Sequence, residues 1–118
     1  MTGRLTTHVL DTAHGRPGAG MAVALYRVQH EGRELLGRHV TNVDGRCEAP
    51  LLEGPALSVG VYDLDFRVGE YFAARGLDMA EPRFLDVVTV RFGVADPERH
   101  HHVPLLVSPY GYPSYRGS

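Results

Sequence analysis

Four of the histidines, one arginine and an aromatic tail are the residues best suited to chemistry in this chain. Seven histidines occur in 118 residues, and three stand in a row as His100, His101 and His102. Imidazole is the side chain whose ordinary pKa lies nearest neutrality, so it can take up or give a proton there. On an extended chain successive side chains alternate faces, which puts His100 and His102 together and His101 opposite. That pattern admits three readings: the solvated start of a strand, a metal-binding pair, or a catalytic imidazole. A metal needs another ligand, and His8 is the one well-placed candidate, with no His-x-x-Glu-His stretch and no cysteine set beside it. His8 precedes Val9 and Leu10, so it also fits a satisfied core residue. Arg46, just after Asp44 and Gly45, reads by itself as a solvated hairpin residue. Chain ends are usually polar and frayed. Here Tyr110, Tyr112, Tyr115, Arg116 and Ser118 suggest a tail tucked into a site.

Short strands must position these groups. Thr6–Asp11 is β-rich and stops in a Gly/Pro-rich turn over residues 14–20. Met21–Gln29 is an apolar run closed by the polar loop His30–Arg33, and Leu35–Asn42 leads to the Asp44-Gly45 turn, which demands positive φ. Val61–Arg67 alternates, with Tyr62, Leu64 and Phe66 on one face and Asp63, Asp65 and Arg67 on the other. Val88, Val90, Phe92 and Val94 form a second inward series. Between them Gly69–Gly76 reads as a two-turn helix with a glycine cap. Asp96-Pro97 marks a turn before a last strand, His100–Ser108, in which Pro104 predicts an edge or a bulge. Seven to eight short strands and one short helix predict an all-β sandwich, a single domain over residues 1–118.

Composition narrows the function classes. Apolar residues make up 43% and charged residues 22% of the chain, the balance of a globular protein with a modest core. A net charge of −2 and the lack of a long basic stretch argue against nucleic acid as a partner. The single cysteine, Cys47, rules out an intrachain disulfide and reads as a small apolar filler. No secretory h-region stands in residues 1–20 and no run is long enough for a membrane span, so the expected compartment is cytoplasmic.

Two blocks resemble the transthyretin-related 5-hydroxyisourate hydrolase family. The first runs from His8 through Asp11, His14, Gly15 and Pro17 to Val23. The second runs from His102 through Pro104 and Ser108 to Tyr112 and is followed by the ending Tyr115-Arg116-Gly117-Ser118. Thr41–Arg46 and Val68–Gly76 match in order and spacing between them. The resemblance implies a transthyretin-like β-sandwich, assembled as a homotetramer, a dimer of dimers with sites in a channel across the dimer–dimer interface. It implies hydrolysis of 5-hydroxyisourate, the product of urate oxidase, to 2-oxo-4-hydroxy-4-carboxy-5-ureidoimidazoline in urate catabolism, with no metal and no cofactor. His8, Arg46, His102 and Ser118 are the implied catalytic residues, and Tyr115, Arg116 and Gly117 the implied substrate-binding ones. The Tyr-Arg-Gly-Ser ending separates the chain from the hormone carriers of the same fold, so a non-catalytic small-ligand binding protein is the alternative. Two departures stand out: His101, where the family usually has an aromatic residue, and Pro113, which stiffens the approach to the tail in place of a small polar residue.

Overall fold

The computed structural model describes residues 3–117, so Ser118 lies outside the described residues. Its elements in chain order are β1 (Arg4–Asp11), β2 (Arg16–Pro17), β3 (Ala22–Gln29), β4 (Gly32–Val40), β5 (Leu52–Glu53), β6 (Gly60–Arg67), α1 (Val68–Ala74), β7 (Val87–Val94) and β8 (His101–Val107). They form two facing four-stranded sheets, the all-β sandwich expected from the strand spacing.

The first sheet is organised around β1. Along one edge β8 runs parallel to it, from Leu5 opposite His101 to Asp11 opposite Val107. Parallel neighbours cannot be joined by a tight turn, and here nearly the whole chain separates them. Along the other edge β5 pairs with the start of β1 and β2 with its end, both antiparallel. The second sheet is antiparallel throughout, in the order β4-β3-β6-β7.

Alternation decides which side chains meet between the sheets. Leu5, Thr7, Val9 and Asp11 of β1 and His101, Val103, Leu105 and Val107 of β8 are buried, facing Val23, Leu25, Tyr62, Leu64, Phe66 and Val88 of the second sheet. Each fully buried aliphatic or aromatic side chain contributes about 1.5–3 kcal/mol. The inward series of β6 and β7 thus lies where the pattern predicted, with Val90 and Phe92 only partly covered. Two outward positions depart from simple alternation, Pro104 of β8 and Asp63. Asp63, on the outward series of β6, is only 1% exposed, because Arg33 and Arg91 close over its carboxylate.

The helix ends at Gly76, whose φ of 81° lets its N–H reach the carbonyl of Ala73 at 3.0 Å. Its inner face buries Val68, Tyr71 and Phe72. The Tyr71 hydroxyl donates to Asp11 Oδ2 at 2.7 Å, and His14 Nδ1 bonds the same oxygen at 2.7 Å. That cluster pins α1 to the end of β1. Cys47 is half-buried against the core, and burial pushes its thiol up from the usual value, in keeping with an inert filler. The two-residue strands β2 and β5 escaped the sequence pattern because two residues are too few to show a period.

Candidate active site

The outer face of the β1–β8 pair gathers the polar groups. Alternation turns Arg4, Thr6 and His8 of β1 away from the core, together with His102 of β8 and His100 just before it. The parallel register sets Thr6 beside His102. Thr6 Oγ1 lies 2.8 Å from His102 Nδ1 and 2.8 Å from His100 Nε2. The rings of His8 and His102 are 6.5 Å apart between centroids, and those of His100 and His102 6.2 Å apart. Of the readings open for His8, the fold selects the outward one, because its neighbours Thr7 and Val9 take the core side.

Arg46 arrives from the other direction. The Asn42 side chain accepts from the backbone N–H groups of Asp44 and Arg46 at 2.9 and 3.2 Å, an Asx-type turn. Gly45 holds φ at 76°, and a Cβ there would collide with the Val9 carbonyl. Only glycine combines that conformation with that approach. The Val9 N–H donates to the Gly45 carbonyl at 2.8 Å, so the turn docks on the free edge of β1 between β5 and β2. Arg46 is therefore exposed but is no hairpin residue. It forms an isolated antiparallel bridge with His8 on that edge. The same turn orients His8, whose Nε2 lies 2.9 Å from the Asp44 carbonyl. A carbonyl only accepts, so His8 donates through Nε2 and keeps its lone pair on Nδ1.

The field on this face favours neutral imidazoles. Burial pushes His102 below the usual imidazole value, and Arg46, His100 and His8 push it further. His8 is lowered by burial and then by Arg46, and His100 by burial and then by Arg4 and His101. Neutral imidazole next to a permanent cation is a proton acceptor beside an anion-stabilising group.

The tail folds back along the outer edge of β8. The Ser108 N–H donates to the Gly111 carbonyl at 2.9 Å, Leu106 to Pro113 at 3.2 Å, and Gly117 to His102 at 2.7 Å. Pro104 lies on this edge strand with its ring nitrogen turned to the same side as the Leu106 N–H, where a missing donor is tolerated, and Ser114 Oγ donates to its carbonyl at 2.7 Å. Pro113 sits in the hairpin-like return without breaking it. Gly117 is pressed against the imidazole of His102: a Cβ there would stand 2.6 Å from His102 Cδ2. The chain thus packs Gly117 on His102 but keeps the two residues before it out of the cleft that Arg46 lines. Arg46 and His102 line a cleft of about 380 Å3 with Arg4, Thr6, Cys47 and His100. Tyr115 and Arg116 instead line a cavity of about 250 Å3 between β7 and β8, with Phe92 and His101. His102 borders both.

Among the described residues no three His, Cys, Asp or Glu side chains converge as a metal-binding group. His101 points inward and bonds the Arg99 carbonyl at 3.0 Å through Nδ1, so the consecutive histidines are split between the two faces as alternation requires. The sequence reading missed Thr6 as a member of the cluster. The same period-two count that paired His100 with His102 would have placed it beside His8.

A parallel strand pair that carries neutral imidazoles and a guanidinium on its outer face defines a two-sheet sandwich equipped to engage a polar, oxygen-rich small molecule. The chain belongs to the HIUase/Transthyretin family, whose model matches residues 5–117. It is 60% identical to the 5-hydroxyisourate hydrolase of Ralstonia nicotianae, over 98% of this chain and 99% of that protein. Among solved structures it superposes on (S)-allantoin synthase with a TM-score of 0.94 at 47% identity, covering 99% of this chain and 44% of that one. It superposes on Klebsiella pneumoniae 5-hydroxyisourate hydrolase with a TM-score of 0.81 at 34% identity, covering 98% of this chain and 99% of the other.

Proposed function

We propose that the chain hydrolyses 5-hydroxyisourate to 2-oxo-4-hydroxy-4-carboxy-5-ureidoimidazoline, a step of urate catabolism, at the outer face of the β1–β8 pair. The observation that carries the reading is the pair His8 and His102, facing each other with ring centroids 6.5 Å apart beside Arg46. The near-full-length relatives named for that hydrolysis support it.

Opening a cyclic amide consumes one water. An imidazole lone pair takes a proton from the water, whose oxygen bonds to the carbonyl carbon. The carbonyl electrons move onto oxygen, where the Arg46 guanidinium stabilises the developing charge. The C–N bond then breaks, the electron pair stays on nitrogen, and an imidazolium or imidazole N–H supplies the proton that nitrogen needs. His102 has Nδ1 engaged with Thr6, which leaves Nε2 for this exchange. His8, anchored on Asp44 through Nε2, presents Nδ1. Arg116, Tyr115 and the Ser118 terminus are assigned to substrate binding and closure. Tyr115 and Arg116 line the neighbouring cavity, and the chain works as a homotetramer in which copies share their outer faces. The protein acts in the cytoplasm and needs neither metal nor cofactor.

The test is the ultraviolet decay of 5-hydroxyisourate freshly generated from urate and urate oxidase, followed with and without the protein. Decay faster than the spontaneous rate, unchanged by a chelator and abolished in His102→Ala, is the expected result. Decay no faster than the blank from folded protein would favour the carrier reading, a sandwich that binds a small ligand without turnover. Sedimentation at micromolar concentration checks the tetramer.

A further inference from the structure

We infer that Thr6 is a positioning residue whose hydroxyl links His102 to His100 in a proton relay, so that His102 alternates between base and acid while His100 passes charge to solvent. The inference rests on the hydrolase reading and goes beyond it, because neither Thr6 nor His100 is among the residues assigned to the reaction.

Thr6 carries one hydroxyl proton. Thr6 Oγ1 stands 2.8 Å from two imidazole nitrogens, and it can donate to only one of them. The other nitrogen must therefore carry its own hydrogen and donate to Oγ1. With the hydroxyl proton shared between the rings, two arrangements follow. In the first, His102 Nδ1–H donates to Thr6 and Thr6 donates to His100 Nε2, which leaves a lone pair on His102 Nε2. In the second, His100 Nε2–H donates to Thr6 and Thr6 donates to His102 Nδ1, which puts the hydrogen of His102 on Nε2. The first is the base the reaction needs at its start. The second is the acid it needs at its end.

Proton uptake converts one into the other. As His102 Nε2 takes the proton of the attacking water, its Nδ1 proton moves to Thr6 Oγ1 and the Thr6 proton moves to His100 Nε2. His102 stays neutral, and the positive charge appears on His100. When His102 Nε2–H protonates the departing nitrogen, the shifts run backwards and the first arrangement returns. Over the cycle the water proton ends on the leaving nitrogen and the hydroxide on carbon, with nothing left over.

Electrostatics supplies the reason for the detour. A charged His102 would face Arg46, His8 and the second imidazole, His100, and Gly117 covers its ring. His100 is exposed to solvent, where water screens the charge, although Arg4 and His101 also face it. Moving the charge one residue pair outward keeps it from accumulating beside the arginine that stabilises the oxyanion.

The experiment combines kinetics with nitrogen-15 spectra of the imidazoles in the intact protein. Thr6→Val keeps a β-branched side chain on β1 and removes only the hydroxyl. It is expected to lower kcat by about tenfold or more with little change in KM, while Thr6→Ser restores the rate. His100→Gln preserves a hydrogen-bond partner for Thr6 but accepts no proton, and is expected to match Thr6→Val, with the double variant no worse than either. Turnover in mixtures of light and heavy water should depend nonlinearly on deuterium fraction in the wild type and linearly in Thr6→Val. The spectra should show His100 and His102 in the same tautomer in the wild type, with hydrogen on Nδ1 of both at rest, and uncorrelated ones in Thr6→Val. An unchanged kcat in Thr6→Val, or additive losses in the double variant, overturns the relay. Opposite tautomers on the two residues overturn the hydrogen-bond chain itself, whatever the activity. A folded wild-type protein that leaves 5-hydroxyisourate decay unchanged overturns the functional reading and the relay with it, and the tautomer pair then stands or falls on the spectra alone.

Discussion

On the outer face of the β4-β3-β6-β7 sheet, Asp63 accepts from Arg91 at 2.8 and 3.1 Å and from Arg33 at 3.2 Å. Beside it Asp65 accepts from Arg33 and from Thr89, and Arg33 lies 3.9 Å over the Tyr26 ring. On the outer face of the other sheet, His8, His100 and His102 lie near Arg46 and Arg4, and among the described residues no carboxylate bonds any of the three. The two faces come from the same alternation on similar strands. One cancels its charge with partners and holds Asp63 ionised. The other leaves cationic field uncancelled and holds its imidazoles neutral. Compensated charge is what a sheet needs for stability, whereas uncompensated charge costs stability and is kept where a reaction uses it.

Substitutions can break this contrast. The largest effect is expected from His102→Ala, a fall in kcat/KM of about 10²- to 10⁴-fold with little change in the thermal midpoint. A matching loss of stability would put His102 in the structural class and erase the distinction. Next comes Gly117→Ala, whose Cβ has no room against His102 Cδ2. Displacing that ring by a fraction of an ångström should cost roughly 10- to 100-fold in rate, read by the same assay.

Acidity separates the faces by window. His8, His100 and His102 sit below the usual imidazole value, so the base form survives neutrality and the activity limb falls below about pH 6.5, roughly tenfold per further unit. The unfolded chain binds protons in that same range, so stability also begins to decline there. Arg91, and then Arg33, hold the Asp63 carboxyl below the usual carboxylate range. Its contribution is complete above the unfolded value and is lost only as pH falls below about 4. Activity and unfolding followed across pH 3–8 should therefore show two separate transitions on the acid side. Asp63→Ala should cost about 1–3 kcal/mol of stability in chemical denaturation and leave turnover at 25 °C unchanged. The smallest effect is expected for Cys47→Ala, under about 1 kcal/mol of stability in chemical denaturation.

Much of the scaffold could be read from residue order alone, because alternation over Val61–Arg67 and Val88–Val94 is long enough to count. Pro104 correctly marked an edge. The pairing of β1 with β8 could not be read, since no local pattern says which distant strand lies alongside. Without it Thr6 looks like any strand threonine and Arg46 like a turn residue. The clustering of His8 and Arg46 depends on Gly45 meeting the Val9 carbonyl, a contact between separate elements. The resemblance supplied those associations before the fold explained them. It did not anticipate that Tyr115 and Arg116 would border a different cavity from Arg46.

The parallel pair also bears on how the protein is made. Thr6 and His102 are separated by 96 positions in the chain, so β1 leaves the ribosome long before the strand that completes its sheet has been synthesised. Nascent β1 must wait with one edge open, and contacts of such sequence range form slowly. The antiparallel sheet, whose neighbours are nearer in sequence, can form first. The reactive face is then the last surface to be assembled, and a chain arrested before β8 carries half of the imidazole pair and no cleft. Acquisition of activity during cell-free synthesis should accordingly lag the appearance of compact, protease-resistant protein, which makes turnover a marker of completed chains.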